Sequence, residues 1–227
     1  MSKNAPLKLF IGIPVYREME ASFAQCLINL HLAPPCDEFL VCPLVGDSLV
    51  SRARNTITAN FLATDATHLL WLDSDLVFSP EHVKRLVSHD KDIVGGFYPK
   101  KQEGPLRWVC NAYPQPQPVQ PDGLQRIRYA GTGFMVIRRQ VFERMIATYG
   151  DALRYRADES GREEYDFWSV GVHQFEDGSR RYLSEDWFFC QRWLDLGGEI
   201  WGDTKVVIKH TGAITFPLAS QMAELRG

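Results

Sequence analysis

The sequence has no long basic run. Basic residues never stand more than two in a row, and the formal net charge is −3. A protein dedicated to binding nucleic acid usually presents a basic face. We therefore expect no dedicated nucleic-acid-binding surface, which leaves open a nucleic acid as the substrate of an enzyme.

Closely spaced cysteines are also absent. The five cysteines, at positions 26, 36, 42, 110 and 190, form no CxxC pair, and their number is odd. A disulfide framework or a structural zinc site normally requires such pairs. The pattern therefore favours reduced thiols that are mostly buried in the core.

No apolar run approaches the roughly 18 residues that a membrane-spanning helix requires. The apolar part of the first 12 residues is also too short for a signal peptide. We therefore expect no membrane span and a soluble, cytoplasmic protein. The 227 residues, 45% of them hydrophobic, suffice for a single domain with a sizeable core.

The first hundred residues alternate between strand and helix patterns. Strands are predicted at Leu7–Val15, Phe39–Val45, Leu69–Leu72 and Asp92–Tyr98, and helices at Met19–Leu30, Ser48–Leu62 and Ser79–His89. Such alternation predicts an α/β fold: one Rossmann-like domain with a mainly parallel central sheet flanked by helices.

The second half is less regular. The proline-rich segment 113–123 is predicted to be a loop, and a strand is expected within 128–138. A helix should run from Gln140 to Tyr149 and end at Gly150. Another should follow Ser184, before a last strand at Trp201–Ile208. Residues 151–181 give few signals.

The stretch HLLWLDSDLVFSP, residues 68–80, places two aspartates directly after an apolar strand. Alternate side chains of an extended strand share a face, so Asp73 and Asp75 would repel each other there. A divalent cation removes that conflict, and carboxylates suit Mg²⁺ or Mn²⁺. The alternative is structural: Asp73 caps a turn and Asp75 pairs with an arginine.

Six short motifs occur in a characteristic order: PVY, RARN, WLDSD, GTG, SED and KH. Their order and spacing resemble those of GT-A glycosyltransferases, most closely the small soluble family-2-like enzymes of viral or bacterial type. The resemblance spans about residues 9–212. It implies one glycosyltransferase domain over residues 1–227, with a nucleotide-sugar half at about 7–100 and an acceptor half at about 101–227.

The resemblance also implies a metal site. In that family the aspartate pair coordinates a cation, Mn²⁺ or Mg²⁺, that bridges the two phosphates of a nucleoside-diphosphate sugar. Asp75 would then be a direct metal ligand, Asp73 a ligand or ribose contact, and His210 a third ligand. A cation at this position would neutralise the charge that grows on the departing diphosphate.

The same resemblance assigns a nucleotide-sugar site and leaves ordinary alternatives open. Tyr16 could stack on the base or simply pack in a turn, Arg54 could pair with one of the aspartates, and the two glycines of GTG could form a bulge. The assigned residues are Pro14, Tyr16, Arg52, Arg54, Asn55, Asp73, Ser74, Asp75, Gly131, Thr132 and Gly133.

Asp186 matches the acid that deprotonates the acceptor hydroxyl in family-2 enzymes, and Glu185 precedes it. If the anomeric configuration is retained, these two acids would instead position the acceptor, a glycan or another hydroxyl compound. Acids in the first turn of a helix are also ordinary, because they interact favourably with the helix dipole. The QxxRW motif of processive enzymes is altered here, since Gln191 directly precedes Arg192. The sequence therefore argues against a processive enzyme.

Other functions fit less well. Asp73 and Asp75 also match the DxDx[TV] motif of haloacid-dehalogenase-like phosphatases, but that motif should lie near the N-terminus, and Asp203 has no second acid close behind it. A non-enzymatic sugar-binding module would use the six tryptophans without needing both acid pairs. A nucleotidylyltransferase would require a glycine-rich first turn, which PVYRE lacks.

Overall fold

The computed structural model describes residues 6–102, 104–158 and 160–212. The helices are α1 (Ala21–Leu32), α2 (Val50–Leu62), α3 (Pro80–Ser88), α4 (Arg139–Leu153) and α5 (Glu185–Asp195). The strands are β1 (Lys8–Val15), β2 (Glu38–Val45), β3 (His68–Leu72), β4 (Leu76–Val77), β5 (Ile93–Phe97), β6 (Cys110–Asn111), β7 (Leu124–Arg126), β8 (Tyr129–Ala130), β9 (Phe134–Arg138), β10 (Arg154–Arg156), β11 (Glu163–Tyr165), β12 (Gly171–Gln174), β13 (Arg180–Leu183), β14 (Trp201–Val207) and β15 (Lys209–His210).

A seven-stranded sheet forms the centre of the fold, in the order β2-β1-β3-β9-β5-β14-β7. The pairs β1–β2, β1–β3 and β5–β14 are parallel, whereas β9 and β7 run against their neighbours. Five of the seven strands therefore point the same way. The predicted mainly parallel α/β sheet is confirmed.

Helices cover both faces of this sheet. One apolar layer contains residues of α2, α4 and α5, and the other contains residues of α1 and α3. Strand β1 serves both layers, because Phe10 faces the first and its neighbours Leu9 and Ile11 face the second. Burial on both faces explains why this strand is an almost continuous apolar run.

Gly12 allows helix α2 to lie close to β1. A β-carbon at this position would come within 2.6 Å of Ile57 and 2.8 Å of Trp71. Such distances are far below van der Waals contact, so only glycine fits. The close approach fixes the position of α2, the helix that carries Arg52, Arg54 and Asn55.

The second half differs from the sequence prediction in two respects. Helix α4 passes through Gly150 and ends at Leu153, so the predicted stop at Gly150 is wrong. Leu153 is buried, and its packing outweighs the roughly 1 kcal/mol that a glycine costs inside a helix. Residues 151–181, which gave few signals, contain the hairpin β10–β11 and strand β12 of the hairpin β12–β13.

Several remaining expectations concern the chain outside the sheet. The proline-rich segment 113–123 lies outside the helices and named strands, as predicted. All five cysteines are free. Within the described part of the chain, no helix has the length and apolar character to cross a bilayer. The predicted acceptor half extends over residues 213–227, which lie outside the described residues.

Candidate active site

Asp73, Ser74 and Asp75 form the turn that follows β3. The amide of Asp73 donates to the carbonyl of Gly133 (3.0 Å), and the amide of Leu76 donates back to the Asp73 carbonyl (3.2 Å). The Ser74 carbonyl accepts a hydrogen bond from the amide of Glu20 at 3.1 Å. Because the backbone turns here, the two aspartate side chains have different partners.

Asp73 is held by Arg54 of helix α2. The Nη2 group of Arg54 donates to Asp73 Oδ1 at 2.9 Å, and its Nε lies 3.6 Å from Glu185 Oε1. Arg54 is only 3% exposed, and its guanidinium group packs over the Trp71 ring. The sequence left open whether Arg54 pairs with an aspartate, and it does so with Asp73. Arg54 thereby links the aspartate turn to the start of α5.

Asp75 lies between Lys101 and His210. The Lys101 ammonium contacts Asp75 Oδ2, and His210 Nε2 lies 3.3 Å from Asp75 Oδ1. Burial alone would raise the pKa of Asp75, but the contacts with His210 and Lys101 outweigh it and lower the pKa. His210 reaches this position because β15 pairs with β4, which places it opposite Leu76.

The pair formed by Asp75 and His210 fits a divalent cation. His210 Nδ1 donates a hydrogen bond to the Pro99 carbonyl at 2.8 Å, and this orients the ring so that Nε2 faces Asp75. Asp75 Oδ1 is buried and has no hydrogen-bond partner in the structure. A carboxylate oxygen and an imidazole nitrogen that face each other suit Mn²⁺.

Asp73 stands apart from that pair. Its carboxylate is bound to Arg54, and among residues 6–102, 104–158 and 160–212 no three His, Cys, Asp or Glu side chains are arranged to hold a metal. The structure therefore brings together two of the three predicted metal ligands, Asp75 and His210. It gives the third an arginine partner.

Asp186 is the second residue of helix α5, which follows the N-cap residue Ser184. Its Oδ1 accepts hydrogen bonds from the Ser184 hydroxyl and from the Trp187 amide, the latter at 2.8 Å. Burial, together with the charge of Glu185, raises the pKa of Asp186 to about 6. A carboxylate with a pKa near neutrality is suited to general-base chemistry.

Tyr98 lies close to the aspartate turn and within electrostatic reach of Asp186. Its hydroxyl oxygen accepts a hydrogen bond from the Gly133 amide at 2.9 Å. Burial, and after it the charges of Asp73 and Asp186, raises the pKa of Tyr98 far above its ordinary value. Sequence reasoning missed both Tyr98 and Lys101. Both follow β5, a strand that ends at the same edge as β3, and this placement was the available signal.

Gly131 and Gly133 form a wall of this site. A β-carbon at Gly133 would lie 2.6 Å from the Tyr98 hydroxyl oxygen and 2.8 Å from Asp73 Oδ2. One at Gly131 would lie 2.5 Å from the same hydroxyl oxygen, and Thr132 between them is buried. The glycines therefore allow the backbone to approach Tyr98 and Asp73 closely.

The other predicted nucleotide-sugar residues are dispersed. Asn55 donates to Asp166 Oδ1 at 2.8 Å and accepts from the Trp168 amide at 3.1 Å, so it anchors the loop after β11. Arg52 donates two hydrogen bonds of 2.8 Å to Asp47. The three polar residues of RARN thus serve three different places.

Strand β1 contributes Pro14, which pairs in register with Leu44 of β2. Tyr16 follows the strand and is 54% exposed, with the Arg17 guanidinium group over its ring. An exposed ring at this edge of the sheet remains available for stacking. Its predicted role in binding a base stays a prediction.

A cleft of about 530 Å³ opens beside the end of β2. It is lined by the start of α2 and by the hairpin β10–β11, and it includes Asp47, Arg52 and Glu164. Of the predicted nucleotide-sugar residues, Arg52 lines this cleft. None of Asp73, Asp75, Asp186 and His210 lines this cleft.

Asp203, the later acid considered for a phosphatase, has a structural role. It is fully buried, 2.6 Å from Arg85 Nε and 2.7 Å from His89 Nε2. Its carboxylate fastens helix α3 to β14. It is thus occupied within the core, which removes the support that a second acidic site would have given to a phosphatase.

Comparisons with known proteins bear on the family. The model of the Anp1 family matches residues 47–102, a segment of 56 of the 227 residues that contains Arg54, Asp73, Asp75, Tyr98 and Lys101. No characterised protein gives a significant match to the sequence as a whole.

Two solved structures with a similar fold match over 90% of the chain, more than the family model does. The crystal structure of A197 from STIV has a TM-score of 0.52 at 17% identity, over 91% of this chain and 86% of that one. GalNAc-T7, crystallised with UDP, GalNAc and Mn²⁺, has a TM-score of 0.55 at 11% identity over 92% of this chain. This chain spans 44% of the length of GalNAc-T7.

A third structure, a glycosyltransferase involved in the glycosylation of the major capsid of PBCV-1, is more distant. Its TM-score is 0.34 at 13% identity, over 63% of this chain and 66% of that one. The Anp1 segment and the shared fold agree with the resemblance that the ordered motifs indicated: the chain has a fold similar to that of GT-A glycosyltransferases.

Proposed function

We propose that the chain is a metal-dependent glycosyltransferase that moves a sugar from a nucleoside diphosphate to an acceptor hydroxyl, with Asp186 as the base. One observation carries the proposal. Asp186, whose pKa is raised to about 6, stands at the same edge of the sheet as the cation-compatible pair formed by Asp75 and His210. Tyr98 packs edge-on against His210, and Arg54 lies between Asp73 and Glu185, the neighbour of Asp186.

Asp75 and His210 would hold Mn²⁺ or Mg²⁺. When bound, such a cation neutralises the charge that develops on the departing diphosphate. The fold supports this assignment, because the GalNAc-T7 structure contains UDP, GalNAc and Mn²⁺. Asp75 Oδ1 also supports it, because this oxygen is buried and, apart from the ion-pair contact with His210, has no hydrogen-bond partner in the structure.

Arg54 would bind the donor directly. Its Nε and Nη1 groups are buried without a hydrogen-bond partner in the structure, while Nη2 is bound to Asp73. Guanidinium N–H groups match phosphate oxygens well, and a buried donor without a partner gains much from one. Asp73 would then orient Arg54, and its remaining oxygen could contact the ribose.

Asp186 would remove the proton of the acceptor hydroxyl in an inverting transfer. At neutral pH a carboxyl group with a pKa of about 6 is mostly ionised, yet it is basic enough to accept a proton. If the reaction retains the anomeric configuration, Asp186 and Glu185 would position the acceptor instead. The whole chain, residues 1–227, would act as a single domain, with donor residues mainly at 7–100 and acceptor residues mainly at 101–227.

The donor can be identified first. Nucleoside diphosphates and their sugars are screened for a rise in melting temperature in the presence of Mn²⁺, because a ligand that binds only the native state stabilises it. The best donor is then supplied with candidate glycan acceptors. Generic aryl phosphates, assayed in parallel, should release no phosphate.

The base is tested with Asp186→Asn. We expect donor binding to persist and transfer to fall by roughly 10²- to 10⁴-fold, the usual contribution of a general base. Asp37→Asn is the control, since Asp37 precedes β2 at the opposite edge of the sheet. Full transfer by Asp186→Asn would refute the base assignment, and a metal-independent donor shift would refute the cation.

A further inference from the structure

Lys101 forms an ion pair with one carboxylate oxygen of Asp75, Oδ2. Its ammonium group contacts Oδ2, while His210 lies beside Oδ1, so a cation binding to Asp75 meets a positive charge already in place. The lysine side chain is 35% exposed and the aspartate side chain 30%. Lys101 follows β5 and belongs to the loop that also supplies the Pro99 carbonyl to His210.

We propose that Lys101 is a counter-ion of Asp75 that a divalent cation displaces, and that the released ammonium group then binds the diphosphate of the donor. The proposal rests on the proposed function and adds a residue to it. It makes Lys101 a competitor of the cation in the empty protein and a binding residue for the diphosphate in the loaded one.

Electrostatics requires the first step. A lysine within hydrogen-bond distance of a carboxylate would stand a few ångströms from a dication on the same group, and like charges that close repel strongly outside bulk water. Lysine can move away at low cost, because its ammonium group ends a flexible four-carbon stem and is partly hydrated. The pair between Lys101 and Asp75 therefore lowers the affinity of the empty protein for the cation.

The second step follows from what the cation brings with it. A diphosphate bound to that cation places several anionic oxygens beside the displaced ammonium group. Lys101 would then exchange one anionic partner for another, so its charge stays compensated. Cation and diphosphate binding become coupled, and the coupling is reciprocal by thermodynamic necessity.

Lys100 provides a matched comparison. It adjoins Lys101 in the sequence, but within the described residues it forms no ion pair; its backbone amide donates to the Arg107 carbonyl at 2.7 Å. Methionine replaces either lysine with a side chain of similar length and no charge. Lys100→Met therefore reports the general loss of one positive charge near the site, and Lys101→Met reports the loss of the counter-ion.

The experiment measures Mn²⁺ binding alone, by the electron paramagnetic resonance signal of free Mn²⁺. We expect Lys101→Met to bind Mn²⁺ roughly three- to tenfold more tightly than the original protein, since a competing cation is gone. Lys100→Met should match the original protein, and Asp75→Ala should lose the site. At saturating Mn²⁺, Lys101→Met should bind inorganic pyrophosphate more weakly, whereas Lys100→Met should not.

Unchanged or weaker Mn²⁺ binding in Lys101→Met overturns the proposal. An equal gain in Lys100→Met also overturns it, because the effect would then be one of net charge. Loss of transfer activity bears on the proposed function alone: tighter Mn²⁺ binding in Lys101→Met would stand whether or not a sugar is transferred. Normal transfer with an unaltered Mn²⁺ affinity would refute only the role of Lys101.

Discussion

At the scale of single residues, the surroundings of each carboxyl group decide its chemistry. Asp186 is buried, and the loss of hydration raises its pKa to about 6. Asp75 is also buried, but the contacts with His210 and Lys101 lower its pKa. Asp73 is bound to a buried arginine. The three acids at this edge of the sheet are therefore suited to three different roles: Asp186 to accepting a proton, Asp75 to binding a cation and Asp73 to orienting Arg54.

The raised pKa of Asp186 predicts a pH-dependent stability. The folded state binds this proton more tightly than the unfolded state, whose aspartate pKa is near 3.8. The free energy of unfolding should therefore fall as the pH rises from about 4 to about 6, by at most about 3 kcal/mol. Urea unfolding of Asp186→Asn should lack this component.

The informative quantity is the difference in free energy of unfolding between the original protein and Asp186→Asn at each pH. Aspartates with lowered pKa values, such as Asp75, increase the free energy of unfolding as the pH rises, and they do so below about pH 4. The original protein and Asp186→Asn share this effect. If the two stability curves remain parallel between pH 4 and 6, Asp186 does not have a raised pKa.

Asp75→Ala should separate function from folding. It removes the contacts with Lys101 and His210, which are partly exposed, and it also removes a buried oxygen without a partner. We expect the free energy of unfolding to change by about 1 kcal/mol or less, while Mn²⁺-dependent donor binding disappears. Chemical unfolding and Mn²⁺ titration measure the two effects. A variant that still binds Mn²⁺ normally would remove Asp75 from the site.

At the scale of elements, burial determined what the sequence could predict. Strands β1 and β3 and helix α2 were predictable because their apolar patterns extend over whole elements. Strands β10 to β13 have three or four residues each, too few to show a period. In the candidate site, the aspartate motif predicted Asp75 and the final KH motif predicted His210, and the structure places the two side by side. Tyr98 and Lys101 belong to no motif and enter the site only through the spatial order of the strands.

Two glycines in different elements should respond in opposite ways to alanine. Gly150 lies inside α4, where a β-carbon would meet its nearest neighbour at 3.8 Å, so Gly150→Ala should stabilise the protein by up to about 1 kcal/mol. At Gly133 a β-carbon would lie 2.6 Å from the Tyr98 hydroxyl oxygen, and Gly133→Ala should destabilise it by about 1–3 kcal/mol. Thermal unfolding checks both. The same sign for both substitutions would contradict the packing described for the site.

At the scale of the whole molecule, the site joins residues from distant parts of the chain. Asp75 and Arg54 come from the first half, while Asp186 and His210 come from the second. Arg54 links α2 to α5, and the pairing of β15 with β4 brings His210 to Asp75. A ligand that binds across these contacts should therefore stabilise the fold as a unit.

Ligand-induced stabilisation tests whether residues from both halves of the chain bind the same ligand. At a concentration of about 100 times its Kd, a donor with Mn²⁺ adds about 2.7 kcal/mol and should raise the Tm by roughly 5–10 °C. A chelator should cancel the rise, and His210→Ala should reduce it strongly. His31→Ala, in helix α1, is the control for losing a histidine. An undiminished rise in His210→Ala would show that this imidazole does not take part.

The position of β15 has a consequence for protein synthesis. The ribosome releases the aspartate turn about 135 residues before His210, and it releases Asp186 about two dozen residues before His210, so the imidazole is the last of these groups to emerge. A nascent chain can thus assemble most of its sheet before His210 is available to pair with Asp75. A cation that needs both Asp75 and His210 would therefore bind only after β15 has been synthesised.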